Sequence, residues 1–354
     1  MITLDEFEVR LLRGAKCLDV RAPIEFGNGC IPNSVNLPIL NDDERAQVGT
    51  CYKMKGQVAA VELGYHLVSG SNKEQKLTAW REMMKANSDH YLTCFRGGQR
   101  SRITQEWLAD CGLQIERLEG GYKAARSLFL QWLAEIPIQC EIRIISGVTG
   151  VGKTKLIKRM GCLDLEKLAN HRGSAFGGLG SQPSVANFEN ALAVELKKFT
   201  RKKGEGKPVL WLEDESRMIG SLTLPEPLYN AMQAAQVYVL EVDLRERIEH
   251  LFSEYVLERL NAGSAALELK ETYLANVVKI SKRLGGIRAK ELAVRLSLAF
   301  ESPQFDQKTA HESWITYLLT EYYDPLYQQA LERKKTRIQW RGSYSELVEV
   351  IDCH

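Results

Sequence analysis

The 354-residue sequence has no uninterrupted apolar run of the ~18–20 residues a bilayer-spanning helix needs. No transmembrane helix and no membrane partner are therefore expected. The opening Met1-Ile2-Thr3-Leu4-Asp5-Glu6-Phe7-Glu8 lacks the basic start and apolar stretch of a signal peptide. A cytoplasmic protein is expected. None of the eight cysteines forms a C-x-x-C pair, so a structural zinc site is not expected. A chain of this length does not need a disulfide framework. No excess charge of one sign is present either: 47 basic against 45 acidic residues leave a formal charge of +2. That excludes a polycationic nucleic-acid coat but not a local basic groove.

What is present is globular. Hydrophobic residues make up 44% and charged residues 26%, which argues against a disordered, coiled-coil or collagen-like chain. At about 100–200 residues per domain, two domains are expected. Short apolar strands (17–21, 34–38, 91–93) precede and follow a charged, helix-prone stretch at 42–86, which breaks at Gly64 and near Gly70. Pro137 reads as a joint. Beyond it, apolar strands at 142–145, 209–212 and 237–240 alternate with helical segments, and the pattern is helical almost throughout from Leu244. Strands alternating with helices predict an α/β fold with parallel sheets. The expected domains are 1–134, 135–245, and a helical C-terminal extension at 246–354.

Two constellations carry chemistry. The first is Cys94-Phe95-Arg96-Gly97-Gly98-Gln99-Arg100-Ser101, between a strand and a helix. This placement gathers backbone N–H groups and a helix N-terminus around one concavity. Arg96 and Arg100 add positive charge, and Gly97 and Gly98 let the backbone curl around an anion. Cys94 is the candidate reactive thiol. The bland alternative is a buried cysteine beside an arginine turn.

The second is Gly147-Val148-Thr149-Gly150-Val151-Gly152-Lys153-Thr154, which fits G-x-x-x-x-G-K-[ST] between an apolar strand and a helix. Gly147, Gly150, Gly152, Lys153 and Thr154 are candidate ligands for a diphosphate. The motif specifies a phosphate ester or anhydride, not ATP. Asp214 and Glu213, at the end of an apolar strand, are candidate contacts to Mg²⁺ or phosphate, as are Arg172 and Ser174 in a glycine-rich patch. Each is also readable as solvated loop or strand-end charge.

The first constellation resembles the rhodanese family. Asp19-Val20-Arg21-Ala22-Pro23-Ile24-Glu25-Phe26, leading to Ile31-Pro32-Asn33-Ser34-Val35-Asn36-Leu37-Pro38, is similar to its first signature. Leu118-Glu119-Gly120-Gly121-Tyr122 resembles its closing turn. Cys30 stands where that family usually has histidine. The resemblance implies that Cys94 carries a chalcogen as a persulfide or perselenide. The loop from Cys94 to Arg100 is one residue longer than in the family's ordinary sulfurtransferases and matches its phosphatases, which implies a roomier anion pocket.

Both constellations in one chain, with Asn170-His171-Arg172-Gly173-Ser174, Leu212-Glu213-Asp214-Glu215-Ser216 and Tyr322-Tyr323-Asp324-Pro325, resemble the bacterial tRNA 2-selenouridine synthase family. The resemblance implies exchange of sulfur for selenium in wobble 2-thiouridine of tRNA, through an S-geranyl intermediate. Selenophosphate and geranyl diphosphate would be co-substrates, and the implied tRNA makes Arg201, Lys202, Lys203, Lys334, Lys335, Arg337 and Arg341 candidate contacts, although such clusters are more often the ends of solvated helices. Mg²⁺ is the implied metal, no bound organic cofactor is expected, and the selenophosphate-producing enzyme is an implied partner. Two alternatives stay open on the residues: a sulfurtransferase fused to an ATPase, and a nucleotide-binding regulator with a redox-sensing cysteine.

Overall fold

The computed structural model describes residues 1–160, 162–171, 176, 180–201 and 207–352. The chain divides into two compact units. Met1–Ile136 joins with Pro183–Lys203, and Pro137–Gln182 joins with Gly204–His354.

The first unit is built on a parallel sheet in the order β2-β1-β3, with β1 at Lys16–Asp19, β2 at Ser34–Asn36 and β3 at His90–Thr93. The last three residues of both β1 and β3 are buried, so side chains on both faces are covered, as a parallel sheet requires. Single bridges from Leu92 to Arg117 and from Ile2 to Leu118 widen it. The helix Asp42–Leu67 starts at a capping box between Asn41 and Glu44. It does not break at Gly64, whose carbonyl accepts the Val68 N–H in regular helical fashion. The kink falls at Gly56, where φ is 83°, a value glycine reaches without strain. A second helix, Gly70–Ala86, follows the expected interruption.

Val185–Arg201 is an amphipathic helix whose Phe188, Leu192, Ala193, Val194 and Leu196 are buried. It lies in the sequence between two strands of the second unit, yet belongs to the compact body of the first. We call it the returning helix.

The second unit carries a parallel sheet in the order β5-β4-β8-β9: β4 is Glu141–Ser146, β5 Val209–Glu213, β8 Gln236–Leu240 and β9 Ile338–Gly342. A small antiparallel pair, β6 (Met218–Ile219) and β7 (Leu222–Thr223), stands apart. The region expected to be helical almost throughout thus returns a strand, β9, to the sheet edge beside β8. Its five residues, Ile-Gln-Trp-Arg-Gly, are only half-buried and carry none of the apolar density of a central strand. The helices from Leu244 onward otherwise enclose an aromatic core containing Tyr273, Phe300 and Trp314. No described helix is long and apolar enough to cross a membrane.

Candidate functional site

In a parallel sheet the loops leaving the C-terminal strand ends converge. Cys94 opens the loop after β3, and the helix Gln99–Asp110 closes it. The Gly120-Gly121 turn sits directly behind. A Cβ on Gly121 would lie 2.4 Å from the Cys94 carbonyl and 2.5 Å from the Gly97 nitrogen, and its φ is +60°. Only glycine fits that contact. The backbone N–H groups of Tyr122 and Lys123 donate to the carbonyls of Cys94 and Phe95 at 2.9 and 3.0 Å. Cys94 is 3% exposed. Its thiol donates to Ser101 Oγ at 3.2 Å, and Ser101 donates to the Gly98 carbonyl at 3.1 Å. Gly97 takes φ 65°, and the side-chain oxygen of Gln99 is buried with no hydrogen-bond partner among the described residues.

The two arginines of the loop differ. Arg96 is exposed, its guanidinium 5.7 Å from the Phe95 ring centre. Arg100 is held by Glu25 in a bidentate pair at 2.5 and 3.1 Å. Burial pushes the Glu25 carboxyl up, but Arg100 outweighs it and holds the group below the usual carboxylate range. Arg100 is therefore placed by a carboxylate of the first rhodanese-like signature, 75 positions away in the sequence. Glu25 also caps its helix, accepting from the Ala22 N–H at 3.2 Å.

Behind the loop, Asp19 and Arg21 form a fully buried ion pair at 2.6 Å. Arg21 also donates to the Gly29 carbonyl at 2.8 Å and lies 4.0 Å from the Tyr122 ring centre. The returning helix adds Asn190, fully buried, which donates to the Cys30 carbonyl at 2.7 Å and to the Tyr122 hydroxyl at 3.3 Å. Arg126 donates to Asn190 Oδ1 at 2.7 Å and pairs with Glu189. Burial pushes the Cys30 thiol up to about 11 and the Cys17 thiol well above its ordinary value, so both stay protonated and unreactive at neutral pH.

In the second unit, β4 runs into the phosphate loop. Gly147, Gly150 and Gly152 all have positive φ (148°, 87° and 84°), and a Cβ on Gly147 would lie 2.8 Å from the Leu240 carbonyl. Lys153 heads the helix Lys153–Met160 and folds back to donate to the Gly147 carbonyl at 2.7 Å. Burial works against its charge. Tyr327 and the carboxylates of Glu213, Glu166 and Glu215 outweigh burial and hold its pKa above the ordinary value. Arg247 and His250, which no motif marks, support the loop from outside. Arg247 donates to the Thr149 carbonyl at 2.9 Å while paired with Asp324, and His250 Nδ1 lies 2.7 Å from the Gly150 carbonyl.

The acidic residues after β5 separate. Asp214 accepts from Ser146 Oγ at 2.5 Å and pairs with Lys334. Glu213 is 1% exposed, with one carboxylate oxygen lacking a hydrogen-bond partner among the described residues. Oxygens of Glu166, Glu213 and Glu215 lie within 4.8 Å of one another. Burial, then the mutual charge of the group, pushes Glu213 well up and Glu215 to about 8. Such an oxygen-only donor set fits a hard divalent cation. Glu166 joins it from a position no sequence pattern connects with β5.

Thr149 to Thr154 line one part of a cavity of about 910 Å³. Tyr229, Tyr255, Tyr322, Tyr323 and Tyr327 line it as well, with Leu326. Its lining is mixed, because Glu166, Glu213, Glu215, Arg333 and Lys334 stand beside the phosphate loop and these tyrosines.

The candidate RNA contacts fare unequally. Lys334 is on Asp214, Lys335 on Glu332 at 3.1 Å, and Arg341 on Glu241 at 3.2 Å. Arg337 donates to the carbonyls of Met232 and Ala235 at 3.1 and 3.0 Å. Arg201 is exposed. Lys202 and Lys203 lie outside the described residues, as do Arg172 and Ser174, the candidate metal or phosphate contacts.

A thiol loop on a rhodanese-type sheet and a phosphate loop on a second parallel sheet, in one chain, define a two-part group-transfer enzyme. Comparison with known proteins narrows the class. Residues 3–127 match the model of the rhodanese-like domain, and residues 140–354 match that of the tRNA 2-selenouridine synthase AAA domain. The tRNA 2-selenouridine synthase of Shewanella sediminis (strain HAW-EB3) is 43% identical over 352 residues, covering 97% of this chain and 95% of its own. That of Shewanella frigidimarina (strain NCIMB 400) is 42% identical, covering 100% and 99%. That of Hahella chejuensis (strain KCTC 2396) is 44% identical, covering 94% and 89%. The chain belongs to the tRNA 2-selenouridine synthase family, and it is a transferase.

Proposed function

We propose that the protein replaces sulfur by selenium in wobble 2-thiouridine of tRNA, with selenophosphate as donor and S-geranyl-2-thiouridine as intermediate. The observation that carries this reading is the cavity of about 910 Å³ that the phosphate loop lines together with five tyrosines and Leu326. A prenyl diphosphate needs both an anion cradle and an apolar lining.

The base sulfur attacks the first carbon of geranyl diphosphate, the carbon–oxygen bond breaks, and diphosphate departs. The amides of Gly147 to Thr154 and the ammonium of Lys153 stabilise the charge that develops on the leaving group. A divalent cation held by Glu166, Glu213 and Glu215 would supply further positive charge there. Alkylation turns the sulfur into a thiol leaving group, which selenium then displaces at C2. Cys94 acts in this second half, beside the anion-binding turn formed by Arg96, Gly97, Gly98, Gln99 and Ser101. Arg100 shapes that turn through Glu25. Selenophosphate is delivered by the enzyme that makes it, in the cytoplasm.

The test is mass spectrometry of nucleosides after incubation with thiolated tRNA, geranyl diphosphate and selenophosphate. Cys94→Ala is expected to abolish selenation and spare geranylation. Lys153→Ala is expected to slow geranylation roughly a hundredfold. Absence of both modified uridines with the unmutated protein would overturn the reading. Wild-type geranylation by Lys153→Ala would overturn the phosphate-loop assignment.

A further inference from the structure

We propose that the tRNA docks on the turn of the helical hairpin formed by Ala266–Leu284 and Gly286–Glu301. This rests on the reading above and names the surface that serves it. From Thr272 to Lys290 the sequence holds Lys279, Lys282, Arg283, Arg288 and Lys290 and no acidic residue. All five are exposed, and they flank a turn at Gly285, where φ is +92°.

Among the described residues, no ion pair neutralises Lys279, Lys282, Arg283 or Lys290. Among the described residues only Arg288 has a carboxylate partner, Glu321 at 3.1 Å, and Lys279 donates to the amide oxygen of Asn276. The cations near the C-terminus contrast with this, because Lys334, Lys335 and Arg341 are each paired with a carboxylate. A paired cation must give up its carboxylate before it can take a phosphate. An unpaired one exchanges only mobile counterions, and release of those drives nucleic-acid binding.

Helix electrostatics accounts for part of the pattern and not the rest. Lys282 and Arg283 sit in the last turn of their helix, where a cation complements the macrodipole. Arg288 sits in the first turn of the next helix, where a cation opposes it, and that turn has no acidic residue. Glu321 offsets that opposition at Arg288, which leaves the other four cations to meet a ligand of opposite charge.

The patch also has an apolar component. Ile287 is 87% exposed beside the turn and Val278 is 71% exposed. Apolar side chains among cations suit single-stranded RNA, which presents base faces as well as phosphates. Arg283 also lines the cavity that holds the phosphate loop, so a strand gripped at the hairpin is led to that cavity.

The test uses the full chain carrying Lys279→Gln, Lys282→Gln and Lys290→Gln together, with thiolated tRNA, by fluorescence anisotropy between about 50 and 300 mM salt. The triple variant is expected to bind about tenfold more weakly near physiological salt. Its log–log salt slope should be shallower by about 2. Its thermal midpoint and its geranyl diphosphate affinity should match the unmutated protein. Lys335→Gln with Arg341→Gln should change tRNA affinity less than about twofold. Unchanged affinity and slope in the triple variant, or an equal loss in the double variant, would overturn the docking surface and leave the proposed reaction standing. Failure of the unmutated protein to bind thiolated tRNA would overturn both.

Discussion

Arg100 and Glu25 stand 75 positions apart, and their pairing changes what the thiol loop is. An arginine in an anion-binding sequence pattern invites the reading of a free cation. Here its guanidinium is saturated on one edge by a carboxylate, so it orients the loop, and the exposed Arg96 is the cation left for an incoming anion. The pair has a pH signature. The Glu25 carboxyl is held below its ordinary value in the folded chain, so the folded state binds fewer protons than the unfolded one as that group titrates. Its contribution to stability is fully present above the ordinary carboxylate pKa and is lost as pH falls through the lower folded value. The gap in thermal midpoint between the unmutated protein and Glu25→Gln should be constant above about pH 5 and close below about pH 4. A gap that stays open in acid would show that the charge of Glu25 is not what matters. The resemblance to the rhodanese family located Cys94, Gly97 and the Gly120-Gly121 turn because local backbone needs dictate those residue types. It did not locate Glu25 as the partner of Arg100, which depends on where the first βα loop lands.

Among the elements, the returning helix departs most from its place in the sequence. Its amphipathic spacing reads plainly as a helix, and Val185–Arg201 is one. Periodicity says that a face is buried, but not against what. The body it completes is the thiol-bearing unit. Asn190 is the polar centre of that contact, with its amide engaged by Cys30, Tyr122 and Arg126. Asn190→Ala should cost about 1–3 kcal/mol, because buried partners lose their bonds without regaining water. Urea denaturation of the full chain would measure it, and a change within a few tenths of a kcal/mol would deny Asn190 that role. β9 is the converse case. A short, half-exposed edge strand carries little pattern, and only parallel pairing with β8 reveals it.

Across the whole molecule, the near-zero net charge conceals segregation: five basic residues without an acid around one hairpin turn, against carboxylates gathered beside the phosphate loop. The chain path conceals the division into units in the same way. A fragment ending at Ile136 contains every element of the thiol sheet but lacks Phe188, Leu192 and Leu196, which are buried in the same compact unit. It should aggregate or bind a hydrophobic dye and melt without a sharp transition. Fusing residues 183–201 to it through a flexible linker should restore a cooperative melt. A fragment that melts cooperatively without them would contradict this account of the unit.

The sequence by itself determined what local chemistry dictates. Glycine positions set where the backbone can turn around an anion, apolar runs set the strands that feed both loops, and capping residues set where helices begin. These are short-range effects, readable from neighbours along the chain. Only the tertiary structure decided which charges meet. Lys334 reaches Asp214 across 120 positions. Glu166 joins Glu213 and Glu215, and the returning helix closes over Cys30 and Tyr122. Such contacts are set by the fold's path through space, and residue type and periodicity do not encode their distance. Among the described residues the fold likewise sets carboxylates beside Lys334, Lys335 and Arg341 and none beside Lys279, Lys282, Arg283 and Lys290.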